Sequence, residues 1–133
     1  MKIDGECHCG AIAYEAEVYP DSIRICHCTD CQQLSGSPFR ANVSAPAETF
    51  RLLRGSPKSY IKTAESGNQR RHMFCGDCGT PTSSSAPDNP PAYSLRIGMI
   101  TQRAQLRPAA QIWHRSALPW VDSLSAIPAN EKD

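Results

Sequence analysis

The residues best equipped for chemistry are seven cysteines, set in three tight clusters: Cys7 with Cys9, Cys26 with Cys28 and Cys31, and Cys75 with Cys78. An odd number excludes complete internal disulfide pairing. Clustered thiols in a reducing compartment read first as metal ligands. Cys75-Gly76-Asp77-Cys78-Gly79 is a C-x-x-C-G run. That spacing makes a tight turn in which both sulfurs meet one ion and backbone N–H groups point at them, with Gly79 supplying a positive φ. Zinc takes four ligands in a tetrahedron, with sulfur at ~2.3 Å. Two more ligands must therefore come from elsewhere, and Cys7-His8-Cys9-Gly10 is the natural partner. The rival readings are a thioredoxin-like redox pair and buried thiols without metal. A redox pair opens a helix, and Gly79-Thr80-Pro81 is a poor helix start.

Cys26-His27-Cys28-Thr29-Asp30-Cys31 is C-x-C-x-x-C, three thiols within six residues. Four cysteines for one ion and three for a second leave none over, so the reading is two zinc ions per chain. The second ion needs a histidine, a carboxylate, water or a substrate to complete it. Structural zinc sites are closed, whereas catalytic ones keep a position open. His72 and His114 are the candidates to close the site. Cys-His-Cys occurs at 7–9 and again at 26–28, and in a strand residues i and i+2 share a face. Each pair then offers two thiolates with its histidine turned away, which disfavours His27 as a ligand. An open zinc with three thiolates is a weak acid toward water and better suited to exchanging a sulfur ligand.

The elements that must position these groups read as mainly β. In Ala11–Val18, Ile12, Tyr14, Ala16 and Val18 alternate with Ala13, Glu15 and Glu17, which gives one buried and one wet face. Ile23–Cys28 alternates likewise. Further expected strands are Phe39–Val43, Phe50–Leu53, Ser59–Lys62, Arg71–Phe74, Tyr93–Ile97 and Gln111–His114. Eleven prolines and eight glycines leave little room for long helices. The best short helix is Thr29–Ser35, with Thr29 or Asp30 capping its start and Gly36 its end. Its N-terminus would stabilise thiolates. A second short helix is expected near Asp122–Ala126, a surface loop over Ser83–Pro91, and a frayed tail after Pro128. Trp113 and Trp120 read as core or interface packing.

The chain of 133 residues fits one domain, 1–133, with no linker or repeat to divide it. Its net charge of +1, with acids and bases interleaved, lacks the dense basic stripe of a nucleic-acid binder or a polybasic membrane anchor. MKIDGECHCG has no apolar run of the signal-peptide kind, and no stretch approaches the ~18 apolar residues of a membrane helix. A cytoplasmic location is the expectation.

The cysteine pattern resembles the glutathione-dependent formaldehyde-activating family, also called the GFA or centromere protein V family. The matching residues are G-x-C-H-C-G at Gly5–Gly10, C-H-C-x-x-C at Cys26–Cys31 with Ser35-Gly36 behind it, and F-C-x-x-C-G-T at Phe74–Thr80. Arg96-Ile97-Gly98, and Ile112-Trp113 through Pro119-Trp120, resemble its closing segment less specifically. The resemblance implies a β-tent fold of several small antiparallel sheets around a structural zinc. It implies that Cys7, Cys9, Cys75 and Cys78 hold that ion, and that Cys26, Cys28 and Cys31 hold a catalytic one. It implies a carbon–sulfur lyase that joins or splits S-hydroxymethylglutathione, with glutathione or another small thiol as partner.

Arg40, Lys58, Arg70, Arg71 and Arg96 are then candidates to meet substrate carboxylates, and Asp30 or His27 to assist proton transfer. Two other readings compete with the lyase. A non-catalytic, zinc-stabilised binding module would show a fourth protein ligand on the second ion. A methionine sulfoxide reductase-like enzyme would need a cysteine outside both metal sites.

Overall fold

The structure is a computed structural model describing residues 1–133. Ten strands dominate: β1 (Lys2–Glu6), β2 (Ala13–Glu17), β3 (Ile23–Cys26), β4 (Arg40–Pro46), β5 (Arg51–Arg54), β6 (Lys58–Thr63), β7 (Gln69–Phe74), β8 (Pro81–Ser85), β9 (Ala92–Arg96) and β10 (Pro108–Ile112). One α-helix, α1 (Thr29–Ser35), follows β3, and five short 3₁₀ turns complete the chain. The mainly β expectation holds. The strands form two sheets: β1-β2-β5, and a larger one in the order β10-β3-β4-β9-β8-β7-β6. All pairings are antiparallel except β10 with β3.

The core lies where the two sheets face one another. β2 contributes Tyr14 and Ala16, β4 Val43 and Ala45, and β9 Leu95, joined by Ile3, Ile12, Val18, Ile100 and others. Gly5 stands opposite Tyr14 in the β1–β2 register. A Cβ at Gly5 would come within 2.7 Å of the Tyr14 ring, so only glycine leaves room for that buried ring.

Opposed residues on paired strands share a face. Leu95 faces Val43 and Ser83, on the core side of the large sheet. On its other side Ser44, Ser94, Ser84 and His72 form one row, Asn42 and Arg96 pair in the next, and Arg40 pairs with Cys26. That second face is polar, and it ends on the three-cysteine segment.

Several local expectations are corrected. Ser83–Ser85 is strand, not loop: β8 runs between β7 and β9, and Thr82 through Ser85 are buried, so ladder pairing overrides their turn propensity. β1 carries too few apolar residues to stand out, yet it pairs fully with β2. The strand from Ile23 stops at Cys26, and β10 stops at Ile112 because Trp113 adopts φ 54°. Trp113 and Trp120 are 53% and 47% exposed and lie outside the core, with the Arg115 guanidinium 5.0 Å above the Trp113 ring. The turn at 121–126 is 3₁₀, not α. No helix is long and apolar enough to cross a membrane.

Candidate functional site

Two hairpin turns bring the first four cysteines together. Cys7–Ile12 joins β1 to β2, and Cys75–Thr80 joins β7 to β8. The four-cysteine cluster therefore ties the small sheet to the large one. Gly10 and Gly79 both take positive φ, 81° and 79°, and each closes its turn by donating its N–H to the carbonyl of Cys7 or Cys75. The first Cys-His-Cys thus lies in a turn rather than in a strand. The sulfurs of Cys7, Cys9, Cys75 and Cys78 lie within 4.8 Å of one another. Cys9 Sγ is 3.7 Å from both Cys7 Sγ and Cys75 Sγ. The Ile12 amide donates to Cys7 Sγ at 3.2 Å, the amide-to-sulfur contact expected of such a turn. Cys7 and Cys75 are buried in the core, while Cys9 and Cys78 are exposed. Hydrogen bonds from the Thr80 hydroxyl and amide pull the Cys78 thiol down to about 5.

The second cluster forms where β3 meets α1. Cys26 ends the strand, and Cys28 itself is the helix N-cap, accepting the Cys31 amide on its sulfur at 3.2 Å. Neither Thr29 nor Asp30 caps the helix. Gly36 does end it, with φ 64°. The three sulfurs again lie within 4.8 Å of one another. Burial pushes Cys26 and Cys31 up, whereas at Cys28 the same penalty is outweighed by the Cys31 amide and the neighbouring thiols.

No histidine or carboxylate joins either cluster at that distance, and no cysteine lies outside them. His114 stands edge-on to His27, 5.4 Å between ring centres, and faces Asp122 at 3.4 Å. His27 is buried, its Nε2 2.7 Å from Gln111 Oε1, so it turns away from the thiols as expected. Gln32 donates from its amide to the His27 and Ser116 carbonyls, fastening α1 to the segment after β10. Asp30 is ion-paired with Lys62 at 2.5 Å. That pair also brings a cation beside Cys28 and Cys31. Lys62 escaped the sequence reading because nothing in its own strand marks it.

His72 sits elsewhere. Its Nδ1 is 3.2 Å from Arg40 Nη1 and 3.1 Å from Arg96 Nη2. Two guanidinium donors aimed at Nδ1 make it an acceptor, so the ring proton of the neutral imidazole is on Nε2. Burial, together with Arg40, Arg96, Arg70 and Lys62, lowers His72 to about 4. Arg96 also donates to Asn42 Oδ1 at 2.6 Å. Arg40, Arg96 and His72 line a cavity of about 730 Å³, walled by Leu34, Phe39, Tyr60, Met73, Phe74 and Met99 among others. Thr80 and His8 of the four-cysteine turns border it too. Lys58, Arg70 and Arg71 do not line it, and neither do Asp30 and His27.

The donor sets fit metal. Soft thiolates converge from separate segments, and deprotonated cysteines so close together need a cation to offset their repulsion. A family model described as glutathione-dependent formaldehyde-activating enzyme matches residues 2–116, and the chain belongs to that family. A putative glutathione-dependent formaldehyde-activating enzyme from Halomonas elongata is 29% identical over 86 residues, which are 60% of this chain and 54% of that protein. The chain thus matches about half the length of that relative. A crystal structure of a Rhodobacter sphaeroides protein shares the fold, with a TM-score of 0.59 and 23% identity over 79% of this chain and 97% of that one.

Proposed function

We propose that the chain is a zinc-dependent carbon–sulfur lyase acting on a small thiol adduct, with S-hydroxymethylglutathione the first candidate substrate. Cys7, Cys9, Cys75 and Cys78 hold a structural zinc, and Cys26, Cys28 and Cys31 hold a catalytic one. The observation that supports this is the asymmetry of the clusters: four sulfurs converge in one, three in the other, and no fourth protein donor approaches the three. A non-catalytic module would have closed the second site. The family match supports glutathione as the thiol and formaldehyde as the carbonyl compound.

When bound, the second zinc supplies a coordination position at which a thiol sulfur is held deprotonated. In the splitting direction the C–S bond breaks and its electron pair goes to sulfur. The adduct's hydroxyl gives its proton to solvent water as the carbonyl forms, so the products are the aldehyde and the thiolate. The chain's own residues hold the reactants. Cys28 fixes the turn through its cap, the Asp30–Lys62 pair places a cation beside the thiolates, and the cavity lined by Leu34 of α1, Phe39 and Arg40 would take the body of the adduct.

Cobalt substitution tests the reading. Glutathione added to the two-metal protein should change the thiolate-to-metal absorption, and hydroxymethyl adducts should turn over. A spectrum indifferent to saturating thiols would overturn the lyase assignment and leave a binding module.

A further inference from the structure

We propose that Arg40 and Arg96 form a carboxylate subsite that selects anionic thiol carriers, with His72 as the positioning residue that holds both guanidinium groups toward the cavity. The inference rests on the lyase reading for the identity of the thiol, but its geometry is independent of it.

Arg40 and Arg96 are only 6% and 8% exposed, yet both line the cavity. Neither has a carboxylate within ion-pair distance: the four salt bridges of the chain use Arg51, Arg54, Lys62 and His114. Buried charges are stable when paired or fully hydrogen-bonded. Here two cations share one imidazole nitrogen, and each guanidinium has five donors to satisfy. Arg40 Nε and His72 Nε2 make no hydrogen bond to the protein at all. Burial and Arg40 lower Arg96 to about 9, the direction expected of a cation short of counter-charge.

The guanidinium fork fits a carboxylate in a bidentate manner. Position sets what that carboxylate must be attached to. Arg40 pairs with Cys26 across β3 and β4, on the same face of the sheet. The three cysteines do not themselves line the cavity, but Arg40 stands opposite Cys26, and Leu34 and Ser35 of α1 line its wall. An acid group held by Arg40 and Arg96 therefore lies one residue row from the three-cysteine cluster and can belong to the molecule whose sulfur is held there. The aromatic and thioether walls suit the carrier's uncharged body.

The decisive probes are S-methylglutathione, whose thioether cannot supply a thiolate, and its diethyl ester. Calorimetry on the zinc-loaded full chain should show the free acid binding roughly tenfold to a hundredfold more tightly than the ester, the range of one charged hydrogen-bonded contact. Arg96→Gln should remove that preference by weakening the acid and leaving the ester unchanged. His72→Phe should raise KM for the hydroxymethyl adduct more than it lowers kcat, and His72→Gln, which restores an acceptor, should recover most of the loss.

Equal binding of acid and ester, or binding of neither, to the wild-type chain overturns the subsite whether or not the variants fold. So does an Arg96→Gln effect confined to kcat, which would place the guanidinium on the reacting oxygen instead. If acid is preferred but no adduct turns over, the subsite stands and the lyase reading fails. If acid and ester adducts turn over with the same KM, the lyase reading stands and the subsite fails.

Discussion

The two clusters should differ most sharply in what they do for stability, because they close loops of very different length. A metal at the first cluster joins Cys9 to Cys75, 66 positions apart, and with them the two sheets. Treated as a cross-link on the unfolded chain, that closure is worth about 4 kcal/mol in lost loop entropy. At the second cluster Cys26 and Cys31 are only five positions apart, and the same relation gives about 2 kcal/mol. Burial widens the gap, since Cys75 belongs to the core cluster and a serine there would place a hydroxyl in that apolar core. Cys28 and Cys31 are only half-buried. The experiment compares Cys75→Ser/Cys78→Ser with Cys28→Ser/Cys31→Ser. Guanidinium unfolding at fixed free zinc measures stability, and native mass spectrometry counts the metal. The first variant should lose about 4 kcal/mol or fail to fold. The second should stay folded, hold one zinc and lose about half as much. Equal losses would refute the division into structural and catalytic sites.

Three further outcomes follow from the same geometry. Purified without chelator, the protein should contain close to two zinc per chain by elemental analysis, and a value near one would remove the second site. His72 titrates near 6.5 when unfolded and at about 4 when folded, so its neutral form stabilises the native state above pH 6.5 and that stability is lost as pH falls toward 4. The full shift corresponds to about 3 kcal/mol, roughly half that after allowing for partial exposure. His72→Gln should flatten the stability profile between those pH values relative to wild type, and identical profiles would remove the Arg–His–Arg contact. Gly5→Ala should cost about 1–3 kcal/mol by overpacking against Tyr14, measured by the shift in denaturant midpoint, and a neutral result would show that the ring can move.

What could be read from the sequence was whatever depends on local pattern. The cysteine spacings sorted the sulfurs into their two clusters, Gly36 marked the end of α1, and the alternation from Ile12 to Val18 identified the buried face of β2. What could not be read depends on neighbours distant in sequence. Ser83–Pro91 reads as a loop because serine and proline favour turns, and its first three residues become part of an interior strand only because β7 and β9 flank them. Arg40 and Arg96 are two of five basic candidates, and which of the five line the cavity could not be told from their positions. The available signal was phase: Arg40, Asn42 and Ser44 alternate with Ala41, Val43 and Ala45. Once Val43 and Ala45 are assigned to the core, Arg40 must point to the sheet's other face, where Cys26 also lies. His72 resembled a metal ligand because histidine so often is one, and the two guanidinium groups at its Nδ1 could not be foreseen from position 72 alone.

The same face explains how buried cations can be accommodated at all. With a divalent ion bound as proposed, the three thiolates would carry one more negative charge than the ion cancels, and Arg40, Arg96 and Lys62 are the positive groups whose fields reach Cys31 or Cys28. One residual charge cannot balance three cations, of which only Lys62 has a carboxylate, Asp30. The surplus is positive and faces the cavity. A negatively charged centre is a weak acid toward water, and a positive rim beside it attracts anions. On the proposed reading, together they would favour a thiolate tethered to a carboxylate over hydroxide. The positive surplus on the polar face of the large sheet, carried by Arg40 and Arg96, thus supports the same proposed reactant as the three-sulfur donor set beside it.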